Sequence, residues 1–199
     1  HMYPTMINNP DYSSIINQRH RERLNSLLDD AEGKGAELIE LKPKGENFLT
    51  EHQGKMPPYL VLSTSGDMAI MTDEIFGPIL PVIEYDHIHE AISFINERPR
   101  PLGLYFFGSN KMEEEAVVQG TVSGGVAIND VLAHIMQDDA PFGGVGDSGT
   151  GSYHGYEGFK NFSHSKTVFS QTPYEFPLKI TRPPYGAGIR RFLDIMIRK

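Results

Sequence analysis

Between residues 79 and 129 the chain alternates strand, helix, strand, helix, strand, an order that few folds accommodate. Residues 79–85 are rich in branched side chains, and 102–107 and 125–129 are nearly continuous apolar runs. Residues 89–98 place Ala91, Ile92, Phe94 and Ile95 at helical spacing, and 111–119 read as a second helix. A right-twisted strand feeding a helix returns to its sheet by a right-handed crossover, so these strands are expected to run parallel. A run apolar at nearly every position, as in 102–107, suits a strand buried on both faces. The spacing therefore predicts an α/β fold, a mostly parallel open sheet with flanking helices.

The flanks are less regular. Ile15, Ile16, Leu24, Leu27, Leu28 and Ala31 predict an amphipathic helix, capped by Asp11 or Ser13 and ended by Gly33 or Gly35. Residues 37–42 and 59–63 read as short strands, with a Pro- and Gly-bearing loop over 43–58. Residues 131–158 hold many glycines and no apolar period, which predicts a long irregular loop of the kind that carries function. An extended segment over 161–170, a Pro-rich stretch over 173–184 and a short basic helix over 189–199 complete the chain.

Composition narrows the function classes. A net charge of −8 argues against nucleic-acid partners, which select a basic surface. The absence of cysteine removes disulfides, thiolate metal sites and thiol nucleophiles, and fits a cytoplasmic protein. No apolar run reaches the roughly 20 residues of a membrane span. His87 and His89 flank Ile88 with no third ligand type nearby, so no metal site is read there.

Two segments carry chemistry. In Glu74-Ile75-Phe76-Gly77-Pro78, a carboxylate ahead of a strand can accept hydrogen bonds from both hydroxyls of a ribose. The aromatic two residues on can pack beside a sugar or a flat ring. The second is Pro141-Phe142-Gly143-Gly144-Val145-Gly146, followed by Gly149, Gly151 and Gly155, a density of glycine that builds a fixed irregular loop. Residues 144–149 spell G-x-G-x-x-G, but no strand precedes them and no helical pattern opens at the last glycine. They are not read as a dinucleotide fingerprint.

These two segments, with Gly151-Ser152-Tyr153-His154-Gly155 and Phe162-Ser163-His164, resemble the C-terminal part of class 3 type aldehyde dehydrogenases. Arg182-Pro183-Pro184-Tyr185-Gly186 leans toward the coniferyl aldehyde branch. The resemblance spans most of residues 8–186. It implies oxidation of aromatic or medium-chain aldehydes to carboxylic acids with NAD or NADP. In that family a cysteine thiolate attacks the aldehyde, hydride passes to the nicotinamide, and a glutamate activates the water that hydrolyses the thioester. Those groups lie upstream of the matched stretch, so the chain is expected to hold no catalytic residue and to be inert.

Residue by residue, the resemblance assigns Glu74 to the cofactor ribose and Phe76 to the nicotinamide half. It assigns Phe142, with His134 and Met136, to the aldehyde tunnel. Asp73 and Asp147 depart from the family's usual glutamate and asparagine. The implied organisation is a cloning remnant at 1–2, a partial catalytic domain over 3–158 with the glycine-rich substrate loop, and an oligomerisation strand over 159–172 that joins a homodimer. The Pro-rich tail and helix of 173–199 are expected to pack on protein, with peripheral membrane contact the lesser alternative. A cysteine-free relative acting as an assembly or small-molecule binding module is the rival reading.

Overall fold

Helix α1 (Gln18–Gly33) forms because Leu24, Leu27, Leu28 and Ala31 recur at the helical period and are all buried. Its cap is Asn17, whose side chain accepts the His20 backbone N–H at 2.8 Å; neither Asp11 nor Ser13 caps it. Asn9 Oδ1 instead takes the Asp11 N–H at 2.9 Å and closes a local turn, leaving Ile15 and Ile16 outside the helix. Gly35, at φ 95, follows the helix end. The computed structural model describes residues 3–49, 54–174, 179 and 181–197, so the expected remnant at 1–2 and part of the expected 43–58 loop lie outside them.

The chain divides into two compact units, His1–Ser93 and Phe94–Lys199. In the first, β1 (Glu37–Glu40) pairs antiparallel with β2 (Tyr59–Leu62), which pairs parallel with β3 (Ile79–Pro81). Each strand is shorter than the apolar pattern suggested. Ser63 leaves the extended region at φ 56, and Pro81, lacking an N–H, closes β3. Val61 and Ile79 pack with the α1 stripe, Ala36, Met56, Met68 and Ile70 into one core. A smaller cluster of Met6, Ile7 and Phe48 is fastened by polar groups. Glu46 accepts the N–H groups of Met6 and Ile7, while the buried Lys55 ammonium donates to the carbonyls of Met6 (3.0 Å) and Asn9.

Helix α2 (Ile88–Asn96) runs through the division. In the second unit β4 (Gly103–Phe106) pairs parallel with β5 (Gly125–Ile128), with α3 (Lys111–Gly120) between them in sequence. Asn110 caps α3 through the Met112 N–H, and Val117 is its buried residue. Leu104 and Phe106 of β4 are buried, but Tyr105 is 39% exposed and Phe107, just beyond it, 63%. The expectation of burial on both faces of 102–107 thus holds for one face only. The fold is α/β, with open sheets of parallel and antiparallel pairings flanked by helices.

Residues 131–154 are irregular as expected, with single 3-10 turns at Ala133–Met136 and Gly146–Ser148, but the loop ends before 158, in a helix. Helix α4 (Gly155–Asn161) was not legible, because Gly155 and Gly158 lower its helix propensity. Residues 164–172 pair with no strand among the described residues and are exposed. The basic helix is α5 (Gly188–Ile197), with Phe192, Leu193, Ile195, Met196 and Ile197 open to solvent. Residues 198–199, and 175–178 and 180 of the Pro-rich stretch, lie outside the described residues. Among those described, no helix is long and apolar enough to cross a membrane.

Candidate functional site

In the first unit the 3-10 turn Ala69–Met71 delivers the chain to Glu74, and the Asp73 N–H bonds back to the Ala69 carbonyl at 2.8 Å. Pro78 then enters the sheet, its carbonyl accepting the Tyr59 N–H at 2.8 Å. Between these anchors Glu74 is exposed, Ile75 packs on the core, and Phe76 is 78% exposed. Phe76 holds φ 49, a left-handed conformation uncommon for a bulky residue. Gly77 is required beside it: a Cβ there would stand 2.5 Å from a methyl of the fully buried Leu24.

The Glu74 side chain makes no hydrogen bond or ion pair with the described residues, so both carboxylate oxygens are open acceptors. The Phe76 ring borders an open, mostly apolar depression of about 550 Å³, walled by Ile16, Asn17, Arg19, His20 and Arg23; Glu74 is not among its walls. An open carboxylate two residues from an open aromatic fits vicinal hydroxyls and a flat ring, the groups a nicotinamide riboside presents. A pyrophosphate cradle is a different matter. The G-x-G-x-x-G of residues 144–149 forms a 3-10 turn followed by irregular chain, with no strand before it.

Two further side chains of α1 reach this turn. Arg23 Nη2 donates to the Glu74 carbonyl at 2.9 Å and also to that of Ile75, and His20 Nε2 lies 2.7 Å from the Phe76 carbonyl. No local pattern announces the contact, since the partners lie 51 to 56 residues apart. Arg21 is likewise engaged, donating to the Lys55 carbonyl at 2.7 Å.

In the second unit Phe142 pairs with Tyr153 in a two-residue bridge, with N–H to carbonyl distances of 3.0 and 2.9 Å. Rings continue on both sides: Tyr105 to His134 at 5.8 Å, His134 to Phe142 at 5.7 Å, Phe142 to Tyr153 at 5.5 Å, and Tyr153 to His154 at 4.4 Å. His134 therefore joins Phe142. Both of its ring nitrogens are buried without a hydrogen-bond partner among the described residues, and its ring lies over Gly125, where a Cβ would come within 2.7 Å. Met136 shares the same 3-10 turn but is 74% exposed and outside the ring series. A hollow of about 280 Å³ is lined by Phe142, Tyr153, Leu102, Phe162 and glycine backbone.

Asn129 spends both ends of its amide on Gly108, donating to its carbonyl and accepting its N–H at 2.9 Å each. His87 and His89 stack at 5.5 Å, and no group of three metal-ligating side chains exists among the described residues.

A profile of the aldehyde dehydrogenase family matches residues 3–168. A probable coniferyl aldehyde dehydrogenase from Caulobacter vibrioides is 46% identical over 99% of this chain and 41% of its own length. A coniferyl aldehyde dehydrogenase from a Pseudomonas species is 44% identical over 98% of the chain and 41% of its own. Among solved structures, the substrate-bound state of Staphylococcus aureus AldH superposes with a TM-score of 0.72 at 37% identity. That superposition covers 95% of this chain and 39% of the other. The chain spans about two fifths of the length of these relatives.

Proposed function

Because the chain belongs to the aldehyde dehydrogenase family, as a class-3-like domain of it, we propose that it is the C-terminal part of an NAD(P)-dependent enzyme that oxidises aromatic, coniferyl-type aldehydes. The observation that carries this reading is the Glu74–Phe76 turn, with its open carboxylate and its outward aromatic ring. Glu74 accepts hydrogen bonds from the ribose hydroxyls and Phe76 packs on the nicotinamide half. When bound, the cofactor supplies the hydride acceptor. Phe142, His134 and Met136 border the aldehyde, and the rings of Phe142 and Tyr153 suit an aromatic guest.

The chain contains no cysteine, so it has no thiolate to attack an aldehyde and is inert alone. The intact enzyme is read as a cytoplasmic homodimer. The exposed Phe162, Val168 and Phe169 around the unpaired 164–172 segment support an interface there. The same absence of cysteine favours a second reading, a noncatalytic relative that assembles or binds a small molecule. The reading frame decides between them. A coding sequence extending upstream into a Gly-Gln-x-Cys segment, whose product reduces NAD or NADP with coniferyl aldehyde, supports the enzyme. A natural start at Met6 with nothing coding upstream supports the second reading.

A further inference from the structure

One face of α1 reads four consecutive residues of the proposed cofactor turn. Arg23 takes the carbonyls of Glu74 and Ile75, His20 takes that of Phe76, and Leu24 lies beneath Gly77. Positions 20, 23 and 24 are neighbours on a helix surface, so the match follows from helical geometry. Successive carbonyls in a tight turn outside any sheet need donors from elsewhere. Arg23 serves two of them from one nitrogen, Nη2, held in the fixed plane of the guanidinium. His20 is itself fixed, its backbone N–H bonded to the Asn17 cap at 2.8 Å and its ring edge-on to Phe76 at 6.2 Å.

The geometry points to His20 and Arg23 as positioning residues that hold Glu74 and Phe76 facing outward. This role rests on the cofactor reading of that turn. Phe76 at φ 49 is a conformation that persists only when its surroundings over-determine it. With its carbonyl held by His20, and Ile75 held both by Arg23 and by its packing on the core, the turn has no freedom to relax. Residue 75 points in while 74 and 76 stay open. Neither α1 side chain needs to touch the cofactor for this role.

The test uses the 199-residue chain labelled with 15N, with nicotinamide mononucleotide as the probe of the cofactor half. His20→Phe keeps a ring but removes the donor, His20→Gln keeps a donor, and Arg23→Met removes the fork. In the wild type, backbone order parameters at residues 74–77 are expected near about 0.85; in H20F and R23M they fall toward about 0.6, while residues 24–31 stay rigid. H20Q restores order at Phe76. Affinity for the mononucleotide falls roughly two- to tenfold in H20F and R23M and recovers in H20Q. Unchanged order at 74–77 in both loss variants overturns the positioning role. Should R23M fail to fold, Arg23→Gln, whose side chain is two atoms shorter, replaces it, with order lost at Glu74 and Ile75; wild-type order there overturns the role. A wild-type chain that ignores the mononucleotide contradicts the cofactor reading, and the order parameters still decide the positioning role.

Discussion

Gly77 has room for a hydrogen and nothing more, because Leu24, the largest fully buried side chain of the first core, fills the space where a Cβ would stand. Gly77→Ala should destabilise by about 1–3 kcal/mol through overpacking, read as a lower urea midpoint at constant slope. Leu24→Ala alone should cost about 2–5 kcal/mol from lost burial and a cavity. The double variant should be less destabilised than the sum, because the vacated volume accepts the new methyl. Strict additivity would show that the two residues do not share that space. At this scale the sequence was informative where chemistry is local. It offered the Glu74 and Phe76 types and the glycine demand of the 141–155 loop. It was silent on His20 and Arg23, whose partners are carbonyls, which every residue possesses.

At the scale of elements, α1 is tied to the Ala69–Met71 turn by Asp30, which pairs with Lys34 at 2.8 Å and accepts the Ala69 N–H at 2.8 Å. The Lys34 ammonium first, and then that backbone N–H, hold the Asp30 carboxyl below its ordinary value. A carboxyl depressed by folding stabilises fully above the unfolded value of about 3.9 and loses that contribution as pH falls through the folded value. Acid titration of stability should therefore be shallower below about pH 4 in Asp30→Asn than in the wild type. An unchanged acid limb would remove Asp30 from the account. Lys55 ties residues 6–9 in place by donating to the carbonyls of Met6 and Asn9, and Lys55→Met, which removes both charged bonds, should cost about 1–3 kcal/mol.

The period of residues 24–31 made α1 legible, and the apolar runs made β4 and β5 legible. The start of α1 was misread because Asp11 and Ser13 are good capping types that the Asn9 turn and Asn17 displaced. Helix α4 was missed because its glycines belong to helix and loop alike.

At the scale of the whole molecule, large apolar side chains open to solvent offer surface for association. Phe107, Phe159, Phe162, Phe169 and, in α5, Phe192, Leu193, Ile195, Met196 and Ile197 are exposed. The chain should self-associate at high concentration; sedimentation showing a clean monomer would contradict this. Coniferyl aldehyde with NAD or NADP should give no reduced cofactor above a heat-killed control, since the chain has no cysteine.

The central claim is that the Glu74–Phe76 turn faces the cofactor in a longer enzyme. The most direct measurement is kcat/KM for NAD or NADP in the product of the upstream-extended reading frame, compared between wild type and Glu74→Gln. Losing a charged acceptor for the ribose hydroxyls predicts a fall of roughly 10- to 150-fold. An unchanged kcat/KM would contradict it.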